Sequence, residues 1–157
     1  MKKKAYILGA CLGLMLVTVF TIVPRAGAAL GGSADSVTTD RKALSAVRRT
    51  TTVGPSYTVQ EIASDATNVR EYVSRDGIVF AITWNGLMHP DLTTLLGSYA
   101  GEYQQAAQKT PRQMGQRRRE VRGNRVVVEK WGHMRNLQGR AYVPALVPSG
   151  VVIDEIK

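Results

Sequence analysis

The chain reads as an α+β domain: a mostly antiparallel sheet of about five to six strands, covered by one long amphipathic helix over about 91–109, plus an N-terminal helix. Three observations carry this. Apolar residues alternate with period two between Tyr57 and Trp84, and Asp76-Gly77 supplies a two-residue hairpin signal there. Leu92, Leu95, Leu96, Tyr99 and Tyr103 then fall on one helical stripe. A second period-two region follows, broken by Gly123-Asn124.

The N-terminus comes first in order. Met1-Lys2-Lys3-Lys4 is a positive segment, Ala5 to Val23 carries no charge, and Pro24-Arg25-Ala26-Gly27-Ala28 closes the run. Ala26-x-Ala28 is a small-residue cleavage pattern, so residues 1–28 read as a secretory signal peptide cut before Ala29. The protein is then expected in the periplasm or the medium. The segment has two other readings. The apolar run is long enough to span a bilayer, which would make it an uncleaved anchor and the only membrane contact, but Pro24 and the small residues favour cleavage. Leu8-Gly9-Ala10-Cys11 resembles a lipobox, but the apolar core continues past Cys11, where a lipoprotein signal would end.

Removing residues 1–28 leaves 129 residues, one domain over 29–157. Cys11 is the sole cysteine and leaves with the signal, so the mature chain has no disulfide, no cysteine zinc site and no attachment point for c-type haem. Losing Lys2, Lys3, Lys4 and Arg25 leaves 17 Lys+Arg against 12 Asp+Glu, lowering the net charge from +9 to +5. That balance suits a domain with a basic patch and does not demand nucleic acid.

Leu30-Gly31-Gly32 reads as a flexible lead-in. Ser33 to Val47 is expected as a helix capped by Ser33, and the Thr-rich Arg49 to Ser56 as a linker. Strands are expected at Tyr57–Ala63, Val69–Ser74 and Ile78–Trp84, the last central because both its faces are apolar. Pro90-Asp91 opens the long helix. Gly97 and Gly101 are expected to let it approach the sheet closely, and Thr110-Pro111 stops it. Arg117–Arg122 and Arg125–Trp131 form a second hairpin. Gly132–Gly139 reads as a loop, Ala141–Val147 as an edge strand at most because of Pro144, and Val151–Ile153 as a last short strand.

Two clusters are candidates for function. Lys109, Arg112, Arg117, Arg118, Arg119, Arg122 and Arg125 stand against one acid, Glu120. In a strand Arg118 and Arg122 flank Glu120 on one face, with Arg117 and Arg119 on the other. Arg117, Arg118, Arg119 and Arg122 are the candidate polyanion patch, for lipid or lipopolysaccharide head groups, acidic glycans or an acidic protein. The competing account is a charged edge strand that blocks aggregation. No aromatic residues interleave to stack bases, which argues against nucleic acid. The second cluster, Trp131 to Asn136 with Gln138-Gly139-Arg140, mixes an indole, an imidazole, guanidinium groups and amides. Trp131, His133, Arg135 and Arg140 are its candidate binding residues, although such side chains also serve to fix their own loop.

No catalytic, metal or cofactor motif is present. His89 and His133 are the only histidines, no Gly-x-Ser-x-Gly elbow occurs, and their spacing with Asp91 does not match a metal site.

Several runs together resemble the domain of unknown function 2844 family, small secreted proteobacterial proteins. They are Leu30-Gly31-Gly32, Tyr57-Thr58-Val59-x-Glu61, Val69–Phe80, Trp84-x-Gly86, Pro90–Tyr99, Gly132-His133-Met134-Arg135 and Gly139–Pro144. The resemblance covers nearly all of the mature chain, and the basic 112–119 stretch is not among the residues that carry it. It implies a Gram-negative exported protein and brings no activity or ligand. The leading expectation is therefore a non-enzymatic binding or accessory module of the cell envelope, with an envelope protein or an anionic glycan or lipid as partner. The alternatives are an envelope hydrolase using His133 as general base, and a structural partner pairing through a strand edge near the C-terminus.

Overall fold

The computed structural model describes residues 29–33, 48–111 and 114–156. The expected signal segment, the expected helix beyond Ser33 and Arg112 lie outside the described residues. The described chain forms seven strands: β1 Arg48–Val53, β2 Tyr57–Ala63, β3 Thr67–Ser74, β4 Val79–Gly86, β5 Arg118–Arg122, β6 Val127–His133 and β7 Asn136–Tyr142. Their order is β1-β2-β3-β4-β7-β6-β5, and every neighbouring pair is antiparallel. Two meanders build the sheet. The first ends at β4, a helical crossover carries the chain to the far edge, and two hairpins return β7 to the side of β4.

The sheet has seven strands rather than the expected five to six, and several local expectations change with it. The Thr-rich segment is edge strand β1 rather than a linker; threonine and valine suit a pleated ribbon, and only Gly54–Ser56 turns. Residues 132–139 are not a loop. They continue β6, turn at Met134-Arg135 and begin β7. β7 is interior, between β4 and β6, and stops before Pro144, which opens the 3-10 turn Pro144–Leu146 instead of interrupting a strand. Ile153–Glu155 is a 3-10 turn and not a strand. The sheet edges are thus β1 and β5, so the strand edge expected near the C-terminus lies within the sheet.

The crossover consists of α1 Leu92–Leu96, a 3-10 turn Gly97–Tyr99 and α2 Ala100–Lys109. Asp91 caps α1: its carboxylate accepts from the Thr93 N–H at 2.9 Å and the Thr94 hydroxyl at 2.8 Å. Gly97 breaks the helix at φ 50°, and a Cβ there would lie 2.1 Å from the Ala29 Cβ. The close approach is thus to the N-terminal segment, not the sheet. Gly101 faces open space and serves no such purpose. Nor is 30–32 a loose lead-in. Leu30 N–H donates to the Leu95 carbonyl at 2.9 Å, Gly31 N–H to Val79 at 2.7 Å, and the Leu30 side chain is buried under the helix.

The two sheet faces are covered differently. On the helix face Ile62, Val69, Ile82, Val128 and Ala141 meet Leu92, Leu95, Leu96 and Leu30. On the other, the tail face, Tyr57, Val59, Tyr72, Phe80 and Tyr142 meet Leu146, Val147, Val151, Ile153 and Ile156 of the C-terminal segment. A register shift at Tyr72/Val73 lets Phe80 and Ala81 both join this second core. Strand β4 is buried on both faces through Trp84, as its apolar pattern requires.

Glu102 ties α2 to the second hairpin. Its carboxylate accepts from the Arg125 N–H at 2.5 Å, the Arg125 Nε at 3.0 Å and the Val126 N–H at 3.4 Å. Gly123 makes room, since a Cβ there would lie 2.5 Å from Glu102 Oε1.

Two outcomes are expected. Leu30→Ala should cost about 2–4 kcal/mol in urea unfolding, because the helix and sheet cannot collapse fully into the space left. The Arg125 backbone N–H, ahead of the other bonds, holds the Glu102 carboxyl below its ordinary pKa. A lowered folded pKa gives stability that is complete above the ordinary carboxylate range and lost as pH falls through the held-down value. Glu102→Gln should therefore lower stability at neutral pH by about 1–2 kcal/mol and flatten the acid limb of the stability–pH curve.

Candidate functional site

The C-terminal segment covers only the aromatic half of the tail face. The rest is polar, because strand register aligns two rows of side chains across five strands. One row runs Arg70, Thr83, Arg140, Glu129 and Glu120; the next runs Asn68, Asn85, Gln138, Trp131 and Arg118. Two cavities lie on these rows. The larger, of about 480 Å³, is lined by Arg118, Glu129, Trp131, Gln138, Arg140 and Asp154. The smaller, of about 110 Å³, is lined by Asn68, Arg70, Thr83, Asn85, Trp131 and Gln138. Trp131 and Gln138 belong to both. The half-buried indole N–H donates to Gln138 Oε1 at 3.0 Å, and the Gln138 amide donates to Asn136 Oδ1 at 2.9 Å.

Charge in the larger cavity is balanced. Arg140 is buried, and its guanidinium donates to Glu129 Oε2 at 2.7 Å, the Ile153 carbonyl at 2.7 Å and Asp154 Oδ1 at 2.8 Å. Burial opposes the Arg140 charge, but the bonds it donates to Asp154 and Glu129 outweigh it and raise its pKa. Asp154 is held low in turn by its bond from Arg140. Arg118 reaches the same Glu129 oxygen at 3.2 Å. These arginines offset what would otherwise be a direct cross-strand repulsion between Glu120 and Glu129. Around this framework the lining groups outside the ion pairs are amides, a hydroxyl and an indole, a set suited to hydroxylated ligands.

The sequence-derived residues divide. Trp131 and Arg140 line the larger cavity together. His133 and Arg135 lie at the exposed tip of the β6–β7 hairpin and line neither cavity. Met134 and Arg135 there have φ of 21° and 43°, in the left-handed region where hairpins usually place Asn-Gly. No carboxylate or hydroxyl bonds to His133 among the described residues, so it lacks the partners of a general base. His89 is engaged elsewhere: its Nδ1 accepts from the Trp84 indole N–H at 2.9 Å. Among the described residues no three His, Cys, Asp or Glu side chains gather as metal ligands, and no helix is long and apolar enough to cross a membrane.

The arginine run does not form one patch. Arg118 and Arg122 lie on the tail face, paired with Glu129 and Glu120. Arg119 lies on the helix face and donates to the Ala107 carbonyl at 2.9 Å and the Thr110 carbonyl at 3.1 Å, closing the C-terminal end of α2. Arg117 is exposed and has no ion pair among the described residues.

A family model described as "Protein of unknown function (DUF2844)" matches residues 26–156, and the chain belongs to that family. No curated protein and no solved structure matches it.

Arg140 is the framework of the groove rather than a free ligand-binding group, which predicts an asymmetry. Arg140→Met should cost about 3 kcal/mol in urea unfolding, because it breaks a buried charge cluster. Asp154→Asn, at an exposed position, should leave the urea midpoint nearly unchanged.

Proposed function

We propose that this chain is an exported, non-enzymatic binding module of the cell envelope, and that it holds a glycan on the open half of the tail face. The observation that carries the reading is the polar groove built around Trp131 and Gln138. A half-buried indole offers an apolar face to sugar C–H groups, and Asn68, Asn85, Gln138 and Thr83 offer donors and acceptors to hydroxyls. The buried Arg140–Glu129 pair makes the floor rigid, which lowers the ordering cost of binding. Acidic substituents on such a glycan fall near Arg70 and Arg118 at the rims of the cavities.

Export rests on the N-terminal segment. It agrees with the packing of Ala29 and Leu30, the first residues past the expected cleavage point, into the core. Signal removal before Ala29 would leave the residues that pack there intact. Intact-mass measurement of the protein from the envelope fraction of its host should give a chain beginning at Ala29; a chain retaining residues 1–28 would replace cleavage with anchoring.

The groove is tested with soluble peptidoglycan fragments and lipopolysaccharide core oligosaccharide as probes. One of the two should quench Trp fluorescence saturably. Trp131→Ala should weaken that binding by at least about tenfold, a loss of roughly 1.4 kcal/mol. Binding that survives the substitution, or no binding by either probe, would remove the groove as the site.

A further inference from the structure

The helix face holds a separate cavity of about 280 Å³ at the β5–β6 end of the sheet, lined by His89, Arg117, Arg119, Lys130 and Leu137 among others. Among the described residues three cations line it and no carboxylate does. Strand alternation is the reason. Arg119 and Lys130 are register partners on this face, whereas the acids beside them in sequence, Glu120 and Glu129, are carried to the tail face. The cations are not neutralised locally. Arg119 is held by the carbonyls of Ala107 and Thr110, acceptors without formal charge. Lys130 Nζ lies 5.4 Å from the Tyr103 ring centroid. Arg117 makes no hydrogen bond or ion pair among the described residues. Uncancelled charge of one sign in a concave surface concentrates counter-ions. His89 adds a neutral donor: Nδ1 accepts from Trp84, which leaves the ring proton on Nε2. Burial first, and Lys130 second, hold its pKa below the ordinary histidine value.

We propose that this cavity binds a phosphate group, with Arg117 and Lys130 as its direct cationic partners, Arg119 as a fixed positive wall and His89 as a hydrogen-bond donor. A guanidinium fork and an ammonium suit the tetrahedral oxygens of phosphate. The volume is at the small end of ligand sites, so the phosphate belongs to a small molecule or projects from a larger one such as a lipid head group. Trp131 borders both this cavity and the glycan groove, but the cationic partners lie on the opposite face, so substitutions at Arg117 and Lys130 separate the two readings.

Inorganic phosphate and glycerol 3-phosphate are titrated into the purified protein at about 20 mM salt, with the His89 imidazole resonances as reporter. Either probe should shift them saturably, and an anion beside the ring should raise the His89 pKa. The Arg117→Gln/Lys130→Gln variant should bind at least about tenfold more weakly, while Arg118→Gln/Arg122→Gln, on the other face, should bind within about twofold of wild type. Sedimentation with phosphatidylglycerol vesicles separates the sources. Binding that depends on Arg117 and Lys130 assigns the phosphate to a lipid head group, and small-molecule binding without vesicle binding assigns it to a soluble ligand. If the double variant fails to fold, Arg117→Gln alone, at an exposed side chain, should still weaken binding by about threefold or more. The proposal is overturned if no probe or vesicle binds, or if both double variants lose binding equally, which would show diffuse surface charge only.

Discussion

A seven-stranded sheet has two faces to cover, and among the described residues a single helical crossover covers one of them. Strand β4 is apolar on both sides, so the second face needs a cover of its own. The cover is the C-terminal segment, which has no regular structure beyond two short 3-10 turns and so cannot hold itself in place. Arg140 holds it. Buried in an interior strand, it reaches Glu129 on the neighbouring strand and both Ile153 and Asp154 on the segment. A buried guanidinium demands acceptors, and the geometry places two of them on the piece of chain that must be fixed. The N-terminal residues do the matching work on the helix face, where Leu30 fills the gap between α1 and the sheet while Gly97 gives Ala29 room.

Because the C-terminal segment is short, it covers only the aromatic half of its face. The polar half is left open, and its side chains are organised by register rather than by a loop. This gives the groove its character. Its polar groups stand on strands tied on both sides, and the charges among them are largely spent on each other. The ligand it suits is recognised through hydroxyls and an apolar sugar face more than through net charge.

Much of the architecture was legible in the sequence. The hairpin at Asp76-Gly77, the central position of β4, the helix over 91–109 and the hairpin at Gly123-Asn124 all carry local signals, and all are present. What was not legible depends on long-range pairing. Thr50 to Val53 becomes a strand because β2 offers it an edge. Residues 136–142 become interior because β4 offers them an edge, although Gly132–Gly139 reads as a loop and the stretch from Ala141 as an edge strand at most. Gly139 fits there because a Cβ would lie 2.2 Å from the Trp84 ring. In the same way Trp131 and Arg140 were visible as candidates, whereas Glu129, Asp154, Asn68 and Asn85 were not. Their role comes from alignment across strands that no local pattern encodes.

The basic run shows how far a one-dimensional reading of charge can mislead. Arg117, Arg118, Arg119 and Arg122 are close in sequence, and a charge count makes them one patch. Strand period two separates them instead. On the tail face Glu120 and Glu129 meet Arg118, Arg122 and Arg140, and positive and negative charge nearly cancel. On the helix face no acid among the described residues accompanies Arg119, Arg117 and Lys130 around their cavity, and the same alternation that neutralises one side concentrates charge on the other. A modest net charge therefore coexists with one strongly cationic concavity. Exchanging Glu120 with Arg119 would bring an acid to the helix face and lower the charge of that concavity without changing composition at all. The chemistry of this edge lies in residue order and strand parity rather than in the number of arginines.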